Sequence, residues 1–178
     1  MDYRFKTEPY EHQLHALGAS HNKENFALFM EMGTGKSKVL VDNIAMLYDK
    51  GKINAALIVA PKGVYRNWER QEIPTHMPEH IVYNVVTWSP VTTKKQQNEN
   101  MKLFKHGDQL TIFLMNIEAF STKKGLDIAQ RFLLAHQTLM AIDESTTIKS
   151  PTARRTKNVL KLRNYAKYRR ILTGSPVT

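Results

Sequence analysis

Cysteine is absent from the 178 residues. Disulfides are therefore excluded, as are zinc and iron–sulfur sites built on thiolates. Long hydrophobic runs are missing too. The longest, Ala55–Ala60 and Leu110–Met115, are strand-sized, far short of the roughly 20 residues a membrane helix needs. The first residues, Met1-Asp2-Tyr3-Arg4-Phe5-Lys6, lack the apolar stretch of a secretory signal. No membrane association and a cytosolic location are the expectations. The seven histidines show no His-Glu-x-x-His spacing, so no zinc site is expected. Acidic residues are scarce: 16 Asp and Glu against 26 Lys and Arg leave a net charge of +10. Such a surplus favours polyanionic partners through phosphate contacts and counterion release. By itself it fits a basic protein without such a partner equally well.

A hydrophobic fraction of 42% and a charged fraction of 24% are ordinary for a globular chain. The length fits one domain spanning residues 1–178. Short apolar runs at Phe26–Met30, Ala55–Ala60, Ile81–Thr87, Leu110–Met115, Thr138–Ile142 and Arg169–Thr173 read as strands. Most are continuous rather than alternating, as expected where both sheet faces are covered. Helical stretches are expected near 36–50, 64–73, 95–105, 125–136 and 152–165, with Gly51 closing the first. Strands alternating with helices predict a three-layer α/β/α domain with a mainly parallel sheet. The polar stretch Thr92–Lys102 reads as an exposed helix or insertion.

Glu31-Met32-Gly33-Thr34-Gly35-Lys36-Ser37 lies between an apolar run and a helical stretch. That placement suits a loop that cradles phosphates. Gly33, Thr34 and Gly35 would turn backbone N–H groups toward a bound nucleotide. The following helix would direct its positive end at the same anion. Lys36 would reach the β- and γ-phosphates of ATP, and Ser37 would offer its hydroxyl to Mg²⁺. The alternative is an ordinary glycine turn before a helix. Further along, Asp143-Glu144 follows a buried strand. Ligands of open α/β sheets sit outside the carboxyl ends of strands. There Asp143 could hold Mg²⁺ through its water shell while Glu144 orients the attacking water.

These residues resemble the superfamily 2 helicases and, within them, the Swi/Snf-type double-stranded DNA translocases. Tyr10-Glu11-His12-Gln13 resembles the adenine-recognition element, in which Gln13 reads the adenine edge. Glu31–Ser37 resembles motif I; helicase loops often keep only the Gly-x-Gly-Lys-Ser/Thr core, as here, where Met30 replaces a glycine. Ile58–Lys62, followed by Asn67-Trp68, resembles motif Ia. Leu114–Phe120 resembles the segment that contacts the tracking strand through Asn116. Asp143–Pro151 resembles motif II with its extension, and Leu172-Thr173-Gly174-Ser175-Pro176 resembles motif III. The resemblance implies a RecA-like P-loop lobe that binds ATP and Mg²⁺. It implies Lys36 and Glu144 as catalytic residues, with Thr173, Gly174 and Ser175 coupling the γ-phosphate to the nucleic acid. Lys62, Arg66, Asn116 and Lys149 would meet the nucleic-acid backbone, most naturally of duplex DNA. Two positions depart from the pattern: Thr146 stands where histidine is frequent, and Ser175 where threonine is.

The sequence ends just after motif III. A second RecA-like lobe, with the arginine finger it carries in this family, is expected from a partner in cis or in trans. Basic residues from Arg154 to Arg170 read mostly as a solvated helix face, with Val159, Leu160 and Leu162 turned inward. If copies associate, Arg154, Arg155, Arg169 and Arg170 are the candidates for a donated arginine. Trp68 is expected in the core, with base stacking as the alternative. Two other functions stay open: a nucleotide-dependent DNA-binding module with little turnover, and a small-molecule P-loop kinase.

Overall fold

The computed structural model describes residues 3–30, 35–143 and 154–174. Six strands form one sheet: β1 (Asn25–Phe29), β2 (Ala55–Ala60), β3 (Tyr83–Thr87), β4 (Leu110–Asn116), β5 (Thr138–Asp143) and β6 (Tyr168–Thr173). Their order is β1-β6-β5-β2-β4-β3, and every pairing is parallel. Seven α-helical segments accompany them among the described residues: α1 (Glu11–Ser20), α2 (Lys36–Asp49), α3 (Tyr65–Asn67), α4 (Ile73–His76), α5 (Lys94–Met101), α6 (Lys123–Ala135) and α7 (Arg154–Leu162).

The sheet divides the core in two because successive side chains of a strand point to opposite faces. Ala56, Ile58 and Ala60 of β2 pack with α1, α2 and the α3–α4 region. Ala55, Leu57 and Val59 pack with α6 and α7. Every residue of β2, β4 and β5 is buried. Their mostly apolar, non-alternating sequences thus reflect coverage on both sides. The expected three-layer α/β/α arrangement is what forms, and within the sheet it is wholly parallel.

Three expectations differ in detail. The helix expected near 64–73 is a composite of α3, a π-helical turn at Trp68–Glu72, and α4. Helix α1 had no periodic signature because two of its three buried residues, Gln13 and Ser20, are polar. On α7 the inward residues are Thr156, Val159 and Leu162. Leu160 is 38% exposed rather than inward, since it follows Val159 by one position and lies about 100° around the helix. Helix α5 has no buried residue and is the exposed helix that its composition suggested.

A parallel sheet brings all its strand C-termini to one edge. Phe29 of β1 pairs with Thr173 of β6, and Leu172 of β6 pairs with Asp143 of β5. The ends of β1 and β5 therefore stand two strand spacings apart, about 10 Å.

Candidate functional site

Helix α2 begins at Lys36, with Gly35 before it at φ 81°. No acidic residue occupies its first turn. The positive end of a 14-residue helix favours an anion. Ser37 is the second residue of α2, on the edge where β1, β6 and β5 terminate. Gly33 and Thr34 lie outside the described residues.

Gln13 comes to this loop from α1. Its Nε2–H donates to the Gly35 carbonyl at 3.2 Å, and its Oε1 accepts from the Tyr10 N–H at 2.8 Å. An amide has two donors and two acceptor positions, and these two bonds use one of each. Gln13 is buried and ties α1 to the phosphate loop.

Across β6, Asp143 is 4% exposed. The indole Nε1–H of Trp68 donates to its Oδ2 at 2.9 Å. Glu72, four residues after Trp68, lies near enough to Ser37 and Asp143 for both to act on its carboxyl group. Burial raises the Glu72 pKa first and the Asp143 carboxylate raises it further, while the Ser37 hydroxyl opposes both. A hydroxyl and two mutually repelling carboxylates form a hard oxygen set. Such a set fits Mg²⁺, which takes one or two protein ligands and keeps phosphate and water in its other positions. Ser37 and Asp143 would hold the ion. Among the described residues no cluster of three or more His, Cys, Asp or Glu is built to hold a metal by itself.

Sequence reasoning expected Trp68 in the core. It is there, at 1% exposure, which excludes base stacking. The structure adds its bond to Asp143. The signal available beforehand was chemical: a buried indole N–H needs an acceptor. Glu72 was missed, since nothing in the sequence distinguishes it from Glu69.

Beneath this site α2 carries a buried ion pair, Lys38–Asp42 at 2.7 Å. The Tyr3 hydroxyl donates to Asp42. Burial, and then that hydrogen bond, raise the tyrosine's pKa. The Lys38 ammonium lies 5.0 Å from the Phe5 ring centroid, and Thr7 shares a 2.8 Å hydrogen bond with His76. Residues 3–7 thus strap α2 to α4.

Of the residues assigned to nucleic acid, Lys62 and Arg66 are exposed just beyond β2, on the nucleotide edge of the sheet. The Arg66 guanidinium lies 5.3 Å from the Tyr65 ring centroid. Asn116 is mostly enclosed, and its Oδ1 accepts from the Ala119 N–H at 2.9 Å. Only its amide donors remain for a phosphate. Thr173 ends β6, its carbonyl accepting from the Met30 N–H at 3.2 Å, and Gly174 follows. Glu144, Lys149 and Ser175 lie outside the described residues.

Two of the arginines considered for donation to a neighbouring copy are engaged elsewhere. Arg170 is 1% exposed and bonds Asn43 Oδ1 and the carbonyls of Ser20, Glu24 and Arg169. Its burial lowers its pKa to about 10. Arg169 bonds the Arg163 carbonyl and Asn25 Oδ1. Arg170 is a structural residue: it closes the start of β6 onto α1 and α2.

Comparison with known proteins accords with this geometry. The SNF2-related domain model matches residues 12–178. The fold is similar to the Sulfolobus solfataricus SWI2/SNF2 ATPase core in complex with dsDNA: TM-score 0.72 at 20% identity, covering 99% of this chain and 34% of that one. The S. solfataricus SWI2/SNF2 ATPase core domain gives 0.65 at 21% identity, covering 97% and 34%. The UvsW helicase from bacteriophage T4 gives 0.66 at 12% identity, covering 95% and 53%. This chain therefore spans about a third of the length of the two SWI2/SNF2 cores. No curated protein sequence matches it significantly.

Proposed function

From the premise that this chain belongs to the SNF2-related domain family, we propose that it is the ATP-binding lobe of a motor that hydrolyses ATP to move along duplex DNA. The observation that carries the proposal is the convergence of Lys36 and Ser37, at the positive end of α2, with Asp143 at the end of β5. About 10 Å separates the two strand ends, which is room for a triphosphate and its cation.

In this reading Lys36 neutralises the β- and γ-phosphates, and Gln13 offers its remaining amide groups to the adenine. Bound Mg²⁺ supplies charge neutralisation at the phosphate oxygens. Ser37 and Asp143 fix where that charge sits, and Glu144 polarises the attacking water. Thr173, Gly174 and Ser175, which follow one another from the end of β6, relay the state of the γ-phosphate to the nucleic acid. Lys62 and Arg66 grip a phosphate backbone, which gives affinity without sequence preference. A match to the S. solfataricus core bound to dsDNA supports duplex DNA as the partner. A second RecA-like lobe completes the cleft.

Two substitutions test the assignment. Lys36→Ala removes the cation of the cradle and should weaken ATP–Mg²⁺ binding by about tenfold or more, roughly 1.4 kcal/mol, in calorimetry. Glu144→Gln, in protein paired with its second lobe, should leave binding intact and collapse hydrolysis, because an amide cannot polarise water as a carboxylate does. Unchanged ATP affinity in folded Lys36→Ala removes the basis of the proposal. Undiminished hydrolysis in Glu144→Gln removes the role of Glu144. DNA gripping that responds to ATP, with negligible turnover even in the paired protein, would favour a binding module instead.

A further inference from the structure

The π-helical turn Trp68–Glu72 interrupts the helical segment between α3 and α4. The Ile73 N–H reaches back five residues to the Trp68 carbonyl, instead of the four of an α-helix. Such turns are rare and concentrate at functional sites. Here the first and last residues of the turn reach the two protein groups assigned to the metal. Trp68 donates to Asp143 Oδ2 at 2.9 Å, and Glu72 lies near the Ser37 hydroxyl, which acts on its carboxyl group. Ser37 and Asp143 belong to different elements, the start of α2 and the end of β5, with β6 between them. The turn bonds the second directly and comes near the first.

We propose that the π-helical turn is the positioning element of the metal site, with Trp68 orienting the Asp143 carboxylate and Glu72 orienting the Ser37 hydroxyl. This rests on the reading that Ser37 and Asp143 hold Mg²⁺ with the nucleotide. A serine hydroxyl that donates its proton to Glu72 keeps its lone pairs for a cation. A carboxylate with one oxygen bound to a rigid indole loses rotational freedom and presents the other oxygen in a fixed direction. Both effects reduce what must be ordered when the ion arrives, which is how outer-shell partners sustain metal affinity. Glu72 is held in turn: His76 Nε2 lies 3.8 Å from its carboxylate, and His76 is tied to Thr7. Glu72 lies near the metal site but acts through Ser37, so its acceptor geometry matters and its charge is secondary.

The test is a calorimetric titration of a non-hydrolysable ATP analogue over a range of Mg²⁺ concentrations, and again with EDTA. Glu72→Ala and Trp68→Phe should each raise the Mg²⁺ needed for half-maximal tightening by about tenfold or more, with the EDTA affinity unchanged. Phenylalanine keeps an aromatic ring in the core and removes the donor together with some buried volume, and the EDTA arm reads any loss from packing alone. Glu72→Gln retains an acceptor for Ser37 and should restore the Mg²⁺ requirement to within about threefold of wild type. Equal losses with Mg²⁺ and with EDTA would make the turn a packing element and overturn the inference. So would a Glu72→Gln protein as impaired as Glu72→Ala, since charge would then be what counts. Ser37→Ala separates the two levels of argument. If it leaves Mg²⁺-dependent tightening intact, the metal reading itself fails and takes the inference with it. If it abolishes tightening while the variants of the turn do nothing, only the inference fails.

Discussion

Gly35 shows how narrowly the phosphate loop is specified. Its φ of 81° is left-handed, and a Cβ there would lie 2.0 Å from Gln13 Nε2. Gly35→Ala therefore combines two costs. The left-handed backbone costs a non-glycine residue about 1–2 kcal/mol, and the displaced Gln13 loses its bond to the loop, about another 1 kcal/mol. The Gln13 side chain can swing away, but the backbone angle cannot relax so easily. In denaturant unfolding, Gly35→Ala should cost about 2–3 kcal/mol in the wild-type background. In Gln13→Ala it should cost only the backbone component, about 1–2 kcal/mol. Equal costs in the two backgrounds would show that Gln13 does not bear on the loop. Gly35, Lys36, Ser37 and Asp143 were legible as candidates because their spacing and flanking patterns carry chemistry. Trp68 and Glu72 were not, because their partners lie on other elements. The capping role of Asn116 was equally hidden: an Asn at a strand end reads the same whether its carbonyl meets a backbone N–H or its amide meets a phosphate.

At the scale of elements, the central strands could be read directly, since burial on both faces forces continuous apolar sequence. Helix α1 could not, for its inward face carries Gln13 and Ser20. Nor could the strap at residues 3–7, whose partners Asp42, Lys38, Pro74 and His76 lie far along the chain. A comparable tie closes the opposite edge of the sheet. The His136 Nε2–H donates to the Leu103 carbonyl, and Nδ1 accepts from Asn54 Nδ2 at 3.1 Å. Asn54 Oδ1 accepts from the Gln137 N–H, which fixes the orientation of the Asn54 amide. Only the neutral ring satisfies both bonds; a second ring proton would face an NH₂ group. Burial, opposed by the Leu103 carbonyl and reinforced by His106, lowers the pKa of His136. The unfolded chain takes up the proton near pH 6.5, before the folded protein does. The stability contributed here is thus present above about pH 6.5 and declines as pH falls below it, levelling at the lower folded pKa. Between pH 7.5 and 5.5 the thermal midpoint should fall, and His136→Gln should shrink that fall. A pH profile unaltered by His136→Gln would show that this ring does not carry the linkage.

At the scale of the whole molecule, net charge and the proposed two-lobed cleft act together. A charge of +10 lowers the cost of approaching a polyanion, and the contacts it makes are lost as salt rises. Among the described residues the buried charges balance, Lys38 and Arg170 against Asp42 and Asp143, and the positive surplus is therefore carried on the surface. The chain spans 34% of the length of the S. solfataricus SWI2/SNF2 core in complex with dsDNA. The proposal for the remainder is a second lobe that closes over the nucleotide and supplies an arginine to the γ-phosphate. Without that closure, water reaches the phosphates freely and transition-state charge is only partly stabilised. These 178 residues alone should therefore bind duplex DNA weakly, with affinity dropping steeply between 50 and 200 mM salt, on the order of 10³-fold for six phosphate contacts. They should hydrolyse ATP slowly, with little stimulation by DNA. Supplying the second lobe, fused or added separately, should raise DNA-stimulated turnover by about 10³–10⁵, the range an arginine finger provides in related phosphoryl transfers. Light scattering must accompany the assay, because association of copies offers another source of the arginine. Arg170 is walled in and Arg169 is engaged, so the candidates for such a donor reduce to Arg154 and Arg155 at the start of α7, where Arg155 lies 3.9 Å from Glu118. Single alanine substitutions at those two positions would abolish turnover in an active oligomer and leave nucleotide binding intact. Vigorous DNA-stimulated hydrolysis by a confirmed monomer would overturn the two-lobe requirement.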